Sequence, residues 1–200
     1  GVSIARAKTY EVGVRSLPWG PDGVMLTASL WAIDLQSELV FVGDEGTTEA
    51  RGPTRRRGVE AAVRGQVWGP LYVNGSVTWT KAEFTNGDAI PLAPELTAYG
   101  AFILQWPEGL RSQLQATYLG VRPLIEDRSA KSPSWVVFDL TERYTLPITL
   151  PHGKLEGFVF IQNLFDTKWE QATFFFESRL RNEPAGVNDI HFVPGIPRFV

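Results

Sequence analysis

The residues of this chain best suited to chemistry are cationic and aromatic rather than nucleophilic. The densest charge cluster is "RGPTRRRG", Arg51 to Gly58, with Arg55 and Arg56 at its centre. The planar fork of arginine grips carboxylate and phosphate, so the run points to an anionic partner. A solvated loop that descends into a strand, with Arg57 facing the lumen, is the competing account. The second cluster is "WEQATFFFESRLRNEPAG" within the long segment 165–193. Here Trp169 and Phe175 stand with Arg179 and Arg181, and long loops on a rigid scaffold commonly carry binding. A hairpin whose phenylalanines pack on neighbouring loops would explain the same residues.

Enzyme chemistry finds little support. The chain has no cysteine, which excludes disulfides, thiolate metal sites and cysteine nucleophiles. Its two histidines are His152, in a short turn after Pro151, and His191, and neither has a partner at metal-ligand spacing. Glu126-Asp127 and Asp44-Glu45 sit in loops, where solvated charge is the simpler reading than a pair of glycosidase acids. There is no phosphate-binding loop, no His-Glu-x-x-His and no Gly-x-Ser-x-Gly. We therefore expect no enzyme activity, cofactor or metal site. A formal net charge of −3 argues against a nucleic-acid binder. No stretch approaches the roughly 18 apolar residues of a membrane helix.

The elements that must position these clusters are strands. In "GVEAAVRGQVWGPLYVNGSVTWTKAEF" Val59, Ala61 and Val63 alternate with Glu60, Ala62 and Arg64. Beyond Gly69-Pro70, Leu71, Val73, Val77 and Trp79 alternate with Tyr72, Asn74, Thr78 and Thr80. Period-two alternation of this kind makes strands with one apolar and one polar face. It recurs in Tyr10, Val12 and Val14 against Glu11 and Arg15, and in Val136, Phe138 and Leu140 against Asp139 and Arg143. Strands are expected near 7–16, 24–34, 37–43, 55–68, 71–84, 95–106, 110–120, 134–146, 154–164 and 194–200. The run "VMLTASLWAI" is apolar on both parities, which makes 24–43 the hardest stretch to assign.

Short and long connections take turns. Residues 35–36, 69–70, 107–109 and 147–153 read as short, and 17–23, 44–54, 85–94, 121–133 and 165–193 as long. Trp68 and Trp106 precede short turns, while Trp19, Trp135 and Trp169 are expected at the long-loop rim. Two aromatic belts around an apolar band are what a membrane-spanning barrel shows at its interfaces. On that reading the polar parity, with Glu11, Arg15, Glu60, Arg64, Asp139 and Arg143, lines a wet lumen. A soluble sandwich also alternates, so alternation by itself does not separate the two folds.

Taken in order, "KTYEVGVRS", "TRRRGVEAAV", "AIPLAPELTAYGAF", "YLGVRPL", "FVFIQNLFDTKWEQ" and "VPGIPRFV" resemble the C-terminal barrel portion of a TonB-dependent outer-membrane receptor. In that family an Asn-Leu-Phe-Asp segment closes the penultimate strand and a Gly-x-Pro-Arg opens the last. No single tetrapeptide is specific; the ordered series is. The resemblance implies an all-β, antiparallel up-and-down transmembrane β-barrel, here roughly ten strands of a 22-strand-class barrel. Ten strands cannot close to that curvature, so an open curved sheet is expected. It implies a segment of the barrel domain over 1–200, with the plug domain and the TonB-contacting segment not among these residues.

The same resemblance implies residence in the outer membrane of a Gram-negative bacterium. It also implies TonB-dependent uptake of a scarce nutrient such as a ferric siderophore or cobalamin. Implied partners are outer-membrane lipid and lipopolysaccharide, the TonB complex through the missing N-terminal portion, and a small-molecule ligand such as a metal chelate. The arginine run would then meet lipopolysaccharide phosphate outside the barrel or an anionic chelate inside it. A passive porin-like or structural barrel is the alternative, and a soluble carbohydrate-binding sandwich a further one. In "GFVFIQNLFDTKWEQ", Leu155, Val159 and Ile161 are expected toward lipid, and Glu156, Phe158, Phe160 and Gln162 toward the lumen.

Overall fold

A computed structural model describes residues 6–42, 47–148, 151 and 153–200. Asp44, Glu45 and His152 therefore lie outside the described residues. Alternating sequence has become strand throughout, and no helix occurs among the described residues. The strands are β1 (Ala7–Ser16), β2 (Val24–Leu35), β3 (Glu38–Val42), β4 (Thr47–Arg51), β5 (Thr54–Trp68), β6 (Leu71–Phe84), β7 (Leu96–Gln105), β8 (Leu110–Leu119), β9 (Arg122–Pro123), β10 (Lys131–Ser132), β11 (Trp135–Thr145), β12 (Glu156–Ile161), β13 (Glu170–Ser178) and β14 (Val187–Pro194).

Eight of them form one antiparallel sheet in the order β1-β2-β5-β6-β7-β8-β11-β12. β1 and β12 are its edges, so the sheet is open, as the sequence led us to expect. The other strands pair among themselves as three hairpins, β3–β4, β9–β10 and β13–β14.

The register carries one face unbroken across the whole sheet. Directly opposed residues of an antiparallel pair point to the same side. Val12 opposes Leu30, Leu30 opposes Val59, and Val59 opposes Trp79. Further along, Val73 opposes Phe102, Phe102 opposes Leu114, Leu114 opposes Leu140, and Leu140 opposes Ile161. The other side runs through Ser29, Glu60 and Thr78, then Thr97. Gln115 and Asp139 continue it, with Arg143 opposite Phe158.

The apolar face is not covered. Val12 is 68% exposed, Val14 72% and Phe102 60%, and a water-soluble protein rarely leaves so continuous an apolar surface open. A sandwich would bury this face against a second sheet. The buried apolar cluster among the described residues is small: Phe84 and Ile90, flanked by Ala82 and Ala93, at the end of β6 and in the loop that follows.

The connections sort more cleanly than the sequence suggested. Residues 17–23, 69–70, 106–109 and 146–155 join strands at one rim, while 36–53, 85–95, 120–134 and 162–198 leave the other. The loop 17–23, with Trp19, thus belongs to the short-turn rim and not to the long-loop rim. Segment 37–43 is not a wall strand either: β2 pairs with β5, and β3–β4 is a hairpin inside the connection between them. Segment 194–200 does not form a full strand. Residues up to Pro194 belong to β14, and only Phe199 meets the wall, through an antiparallel bridge to Gln162.

Close approach explains one glycine. Gly58 opposes Trp31 on the polar face, and a Cβ there would collide with the Trp31 ring and the Trp79 carbonyl oxygen. The indole fills the space that the missing side chain leaves, which lets a bulky residue sit flat on a predominantly polar surface.

Candidate functional site

The long-loop rim gathers the groups that could hold a ligand, and its construction begins at the end of β12. There Asn163 has φ +51° and Asp166 φ +54°, a left-handed conformation that asparagine and aspartate tolerate better than most residues. The turn points the Asn163 amide inward, where only 1% of the residue is exposed. Its Nδ2 donates to the carbonyls of Thr167 (2.9 Å) and Ile196 (3.0 Å), and its Oδ1 accepts from the Thr167 N–H at 2.8 Å. The Asn163 N–H donates to the Asp139 carboxylate at 2.9 Å. Asp166 accepts from the Arg198 N–H at 2.9 Å.

These bonds close the base of the excursion 165–198. Segment Ile196–Arg198 is drawn back to the end of β12, and Phe199 then exchanges two backbone bonds with Gln162, at 2.8 and 3.1 Å. Asn163-Leu164-Phe165-Asp166 is therefore a latch as well as the place where the strand ends. Sequence reasoning missed this role. The usable signal was the pair of turn-forming residues flanking Leu-Phe, the two types that accept positive φ and bond to backbone.

Above the latch, the rings of Trp135 and Trp169 lie 4.6 Å apart with planes tilted by 53°. Trp169 packs on Gly195 and donates to the Ile196 carbonyl at 3.2 Å. The two indoles, with Lys168, Phe192 and Pro197, wall a cavity of about 510 Å³. Trp135 opposes Leu119, which opposes Thr97, so this cavity opens at the polar side of the wall. The Trp135 Nε1 is buried and has no hydrogen-bond partner. The lining also carries Asp166 and Glu170 beside Lys168, so the cavity suits a flat or ring-bearing ligand by its aromatic walls and not by an excess of positive charge.

A buried polar chain holds the neighbouring loops. Arg122 Nη2 donates to Ser132 Oγ at 2.7 Å, Ser132 and Thr173 hydroxyls share a bond of 2.9 Å, and Thr173 donates to Glu170 at 2.9 Å. Burial lowers the Arg122 guanidinium below its ordinary value, and Glu170 opposes that shift. The β9–β10 hairpin is thereby tied to β13. The Ala89 N–H donates to the Glu126 carbonyl and the Leu92 N–H to the Pro123 carbonyl, both at 2.8 Å, joining loop 85–95 to loop 120–134.

The six sequence-derived ligand candidates fall into two groups, one at the start of wall strand β5 and one on the excursion 165–198. Arg56 lies on the polar face and is committed to Glu38 of β3, whose other carboxylate oxygen accepts from Thr54. Arg55, one residue earlier, faces the opposite way. Trp169 walls the cavity, whereas Phe175 lies in the β13–β14 ladder opposite Ile190. Arg179 is spent on its own turn, donating to the carbonyls of Glu183 and Pro184 at 3.2 Å each. Arg181 is exposed nearby. The six polar-parity residues, Glu11, Arg15, Glu60, Arg64, Asp139 and Arg143, all share one face of the sheet. His191 pairs with Asp189 at 3.3 Å on β14, and no cluster able to hold a metal ion occurs among the described residues.

Comparison with known proteins gives a consistent picture. A family model described as TonB dependent receptor-like, beta-barrel matches residues 5–164. The chain is similar in structure to the ferric-catecholate import receptor Fiu from E. coli K12 in its closed form. That match has a TM-score of 0.69 and 23% identity, over 97% of this chain and 26% of that one. It is also similar to the siderophore receptor PiuA from Acinetobacter baumannii, with a TM-score of 0.67 and 18% identity over 96% of this chain and 27% of that one. For the ferric citrate transporter FecA in its unliganded form the values are 0.69 and 16%, over 96% of this chain and 30% of that one. The chain thus spans between a quarter and a third of the length of these receptors, and at such identities the likeness is one of fold.

Proposed function

Because the chain belongs to the TonB-dependent receptor-like β-barrel family, we propose that it forms a C-terminal part of the wall of an outer-membrane receptor for active uptake of a scarce nutrient. The observation that carries this reading is the register that holds one apolar face through eight strands and leaves it uncovered. In water that face costs free energy. Against lipid it is satisfied, and each backbone group between the wall strands is already paired within the sheet.

On this reading the polar face lines the lumen. Glu11, Arg15, Glu60, Arg64, Asp139 and Arg143 keep it hydrated and surround whatever occupies the barrel. The long-loop rim faces the outside of the cell, and the cavity between Trp135 and Trp169 is the contact point this part of the wall offers to an incoming ligand. Arg56 acts indirectly, by fixing hairpin β3–β4 through Glu38. The ligand is a small, ring-bearing molecule such as a metal chelate. The chemistry is binding and gated release, with no covalent step, and the energy comes from the inner membrane through TonB.

The test compares binding and uptake by cells making the receptor that carries this chain. Deletion of TonB is expected to abolish uptake while surface binding of the ligand persists. Uptake that continues at the same rate without TonB would replace this reading with a passive porin-like barrel.

A further inference from the structure

The polar face is charged unevenly along its strands. β1, β5 and β11 all run from the long-loop rim to the short-turn rim, and on each a carboxylate is followed four residues later by an arginine. The pairs are Glu11 and Arg15, Glu60 and Arg64, and Asp139 and Arg143. Residues four apart on a strand share a face but stand about 13 Å from each other, so these acids do not neutralise these arginines. Each carboxylate lies in the half of its strand nearer the long loops, and each arginine in the half nearer the short turns. Arg111 of β8 joins the arginines at the short-turn end.

There Arg111 stands directly opposite Arg143, and the row continues through Gln105 on one side and Phe158 on the other. Opposed residues of an antiparallel pair have Cβ atoms about 5 Å apart, where like charges destabilise the sheet. Both arginines are exposed, and neither has an ion pair or a side-chain hydrogen bond among the described residues. The nearby acids are engaged elsewhere. Glu156 accepts from Thr145 at 3.1 Å, and Asp139 accepts from the Asn163 N–H. Glu142 lies on the apolar face, where it accepts from Ser112 at 2.6 Å. The row ends in open aromatic surface: Phe158 is 74% exposed, and Phe160, next on the same face, 42%. Interface aromatics of a barrel stand on the lipid side, whereas these two lie opposite Arg143 and Thr141 on the polar side. Simple hydration would account for the charge, but for neither the opposed pair nor the rings beside it.

We propose that Arg111 and Arg143, with Phe158 and Phe160 beside them, form an anion-binding site at the short-turn end of the polar face. It takes a small molecule that carries two carboxylates or a phosphate, and the rings receive its apolar part. Each guanidinium fork can grip one carboxylate, or the two can share one phosphate. The anion between them offsets the repulsion that the opposed arginines otherwise carry. Acids toward the long loops and arginines toward the short turns also make the potential more favourable to an anion as it moves toward this end. The proposal rests on the reading that the polar face lines the lumen. A carboxylate side chain from elsewhere in the receptor offers the same chemistry, and the experiment separates the two sources.

The experiment uses the receptor carrying this chain, purified in detergent so that both ends of the lumen meet solvent. Calorimetry measures its binding of isophthalate, a ring with two carboxylates, and of pyrophosphate. In Arg111→Gln, Arg143→Gln both are expected to bind about tenfold more weakly, since one charge-assisted contact is worth at least that factor. Arg15→Gln, Arg64→Gln removes equal charge from the same half of the same face, and its affinities are expected to stay within about twofold. Arg143→Lys keeps the charge without the fork, so it should fold normally and show an intermediate loss. Phe158→Ala is expected to weaken isophthalate about threefold and leave pyrophosphate unchanged. Failure of the unaltered receptor to bind either anion, or equal losses in the two double variants, would overturn the site while leaving the barrel reading intact. Occupation by the receptor's own carboxylate gives the first of those results, together with a lower unfolding temperature in Arg111→Gln, Arg143→Gln. Failure of the barrel reading shows separately. Arg143→Cys protected from an impermeant thiol reagent and quenched by a lipid-confined probe would overturn both.

Discussion

Ala61→Arg is expected to destabilise the inserted barrel by about 2–4 kcal/mol, and Ala62→Arg, one residue further on, by about 0.5 kcal/mol or less. The two alanines are chemically the same and adjacent, so propensity and chain position cancel. What differs is the face. Ala61 lies opposite Ala28 and Val77 in the apolar row, between Val59 and Val63 on its own strand. Ala62 lies opposite Thr27 and Ser76 in the polar row. An arginine at position 61 would carry its charge into hydrocarbon some four residues, or about 13 Å, from Arg57. That distance is too great for easy snorkelling. At position 62 it would join a wet surface that already holds Glu60 and Arg64. Denaturant titration of the receptor folded into vesicles measures both. Similar small effects at the two positions would mean that neither side of β5 meets lipid.

The second large effect is expected at Asn163. Replacement by leucine would leave the Thr167 N–H without its acceptor and the Thr167 carbonyl without its donor, and would leave the Ile196 carbonyl with the Trp169 indole alone. It would also force a branched side chain into φ +51°. Orphaned part-buried groups cost about 1–3 kcal/mol each when fully shielded, and the backbone conformation about 1 kcal/mol more, so a total of about 2–4 kcal/mol is reasonable here. Asn163→Gly separates the two contributions. It removes the amide but relieves the backbone, and it should recover about 1 kcal/mol relative to leucine. The loss should be local as well as global. Limited proteolysis of surface-exposed receptor is expected to cut within 165–198 faster in Asn163→Leu, because the base of that excursion is no longer held. Unchanged cleavage with unchanged stability would show that the latch is not what holds the loop.

Much of the wall was legible because a strand between lipid and water must alternate, and alternation survives in sequence. Val59 to Val67 and Leu71 to Trp79 show the faces directly, and the resemblance of the ordered motifs supplied the family. What local pattern could not supply was pairing. In β2 the polar face carries Trp31 and Ile33 along with Thr27 and Ser29, so both parities look apolar and the stretch 24–43 reads as two wall strands, 24–34 and 37–43. Only the ladder from β2 to β5 shows that the first alone is a wall strand and that 36–53 is an excursion carrying its own hairpin. The same limit misplaced Trp19 and the final segment. Which rim a loop belongs to depends on strand order, and a run such as "VPGIPRFV" does not reveal that its first residue finishes a hairpin.

The arginines teach a related lesson. Read as a run, "TRRRG" is one patch of charge, but placed on a strand it becomes two sites on opposite sides of a wall. Arg56 turns to Glu38, and Arg55 and Arg57 turn to the apolar face. The expectation that Arg57 faces the lumen is overturned by this register, which sets Arg57 on the same face as Val59 and Leu30. The cavity at Trp135 and Trp169 was less accessible. Both tryptophans were placed at the correct rim, but their contact depends on the latch that folds 165–198 back, and its bonds join residues more than thirty positions apart, such as Asn163 with Ile196 and Asp166 with Arg198.

The central claim is that this sheet stands between lipid and water, apolar face outward. Because the chain contains no cysteine, single cysteines can be placed in it and read without interference from its own residues. The most direct measurement labels cysteines at positions 59 to 64 of β5, one at a time, in intact outer membranes with a membrane-impermeant thiol reagent small enough to enter the lumen. Positions 60, 62 and 64 are expected to react and 59, 61 and 63 to be protected, with the protected set instead quenched by a lipid-confined probe. Equal reaction at all six positions, or protection on the even ones, would contradict it.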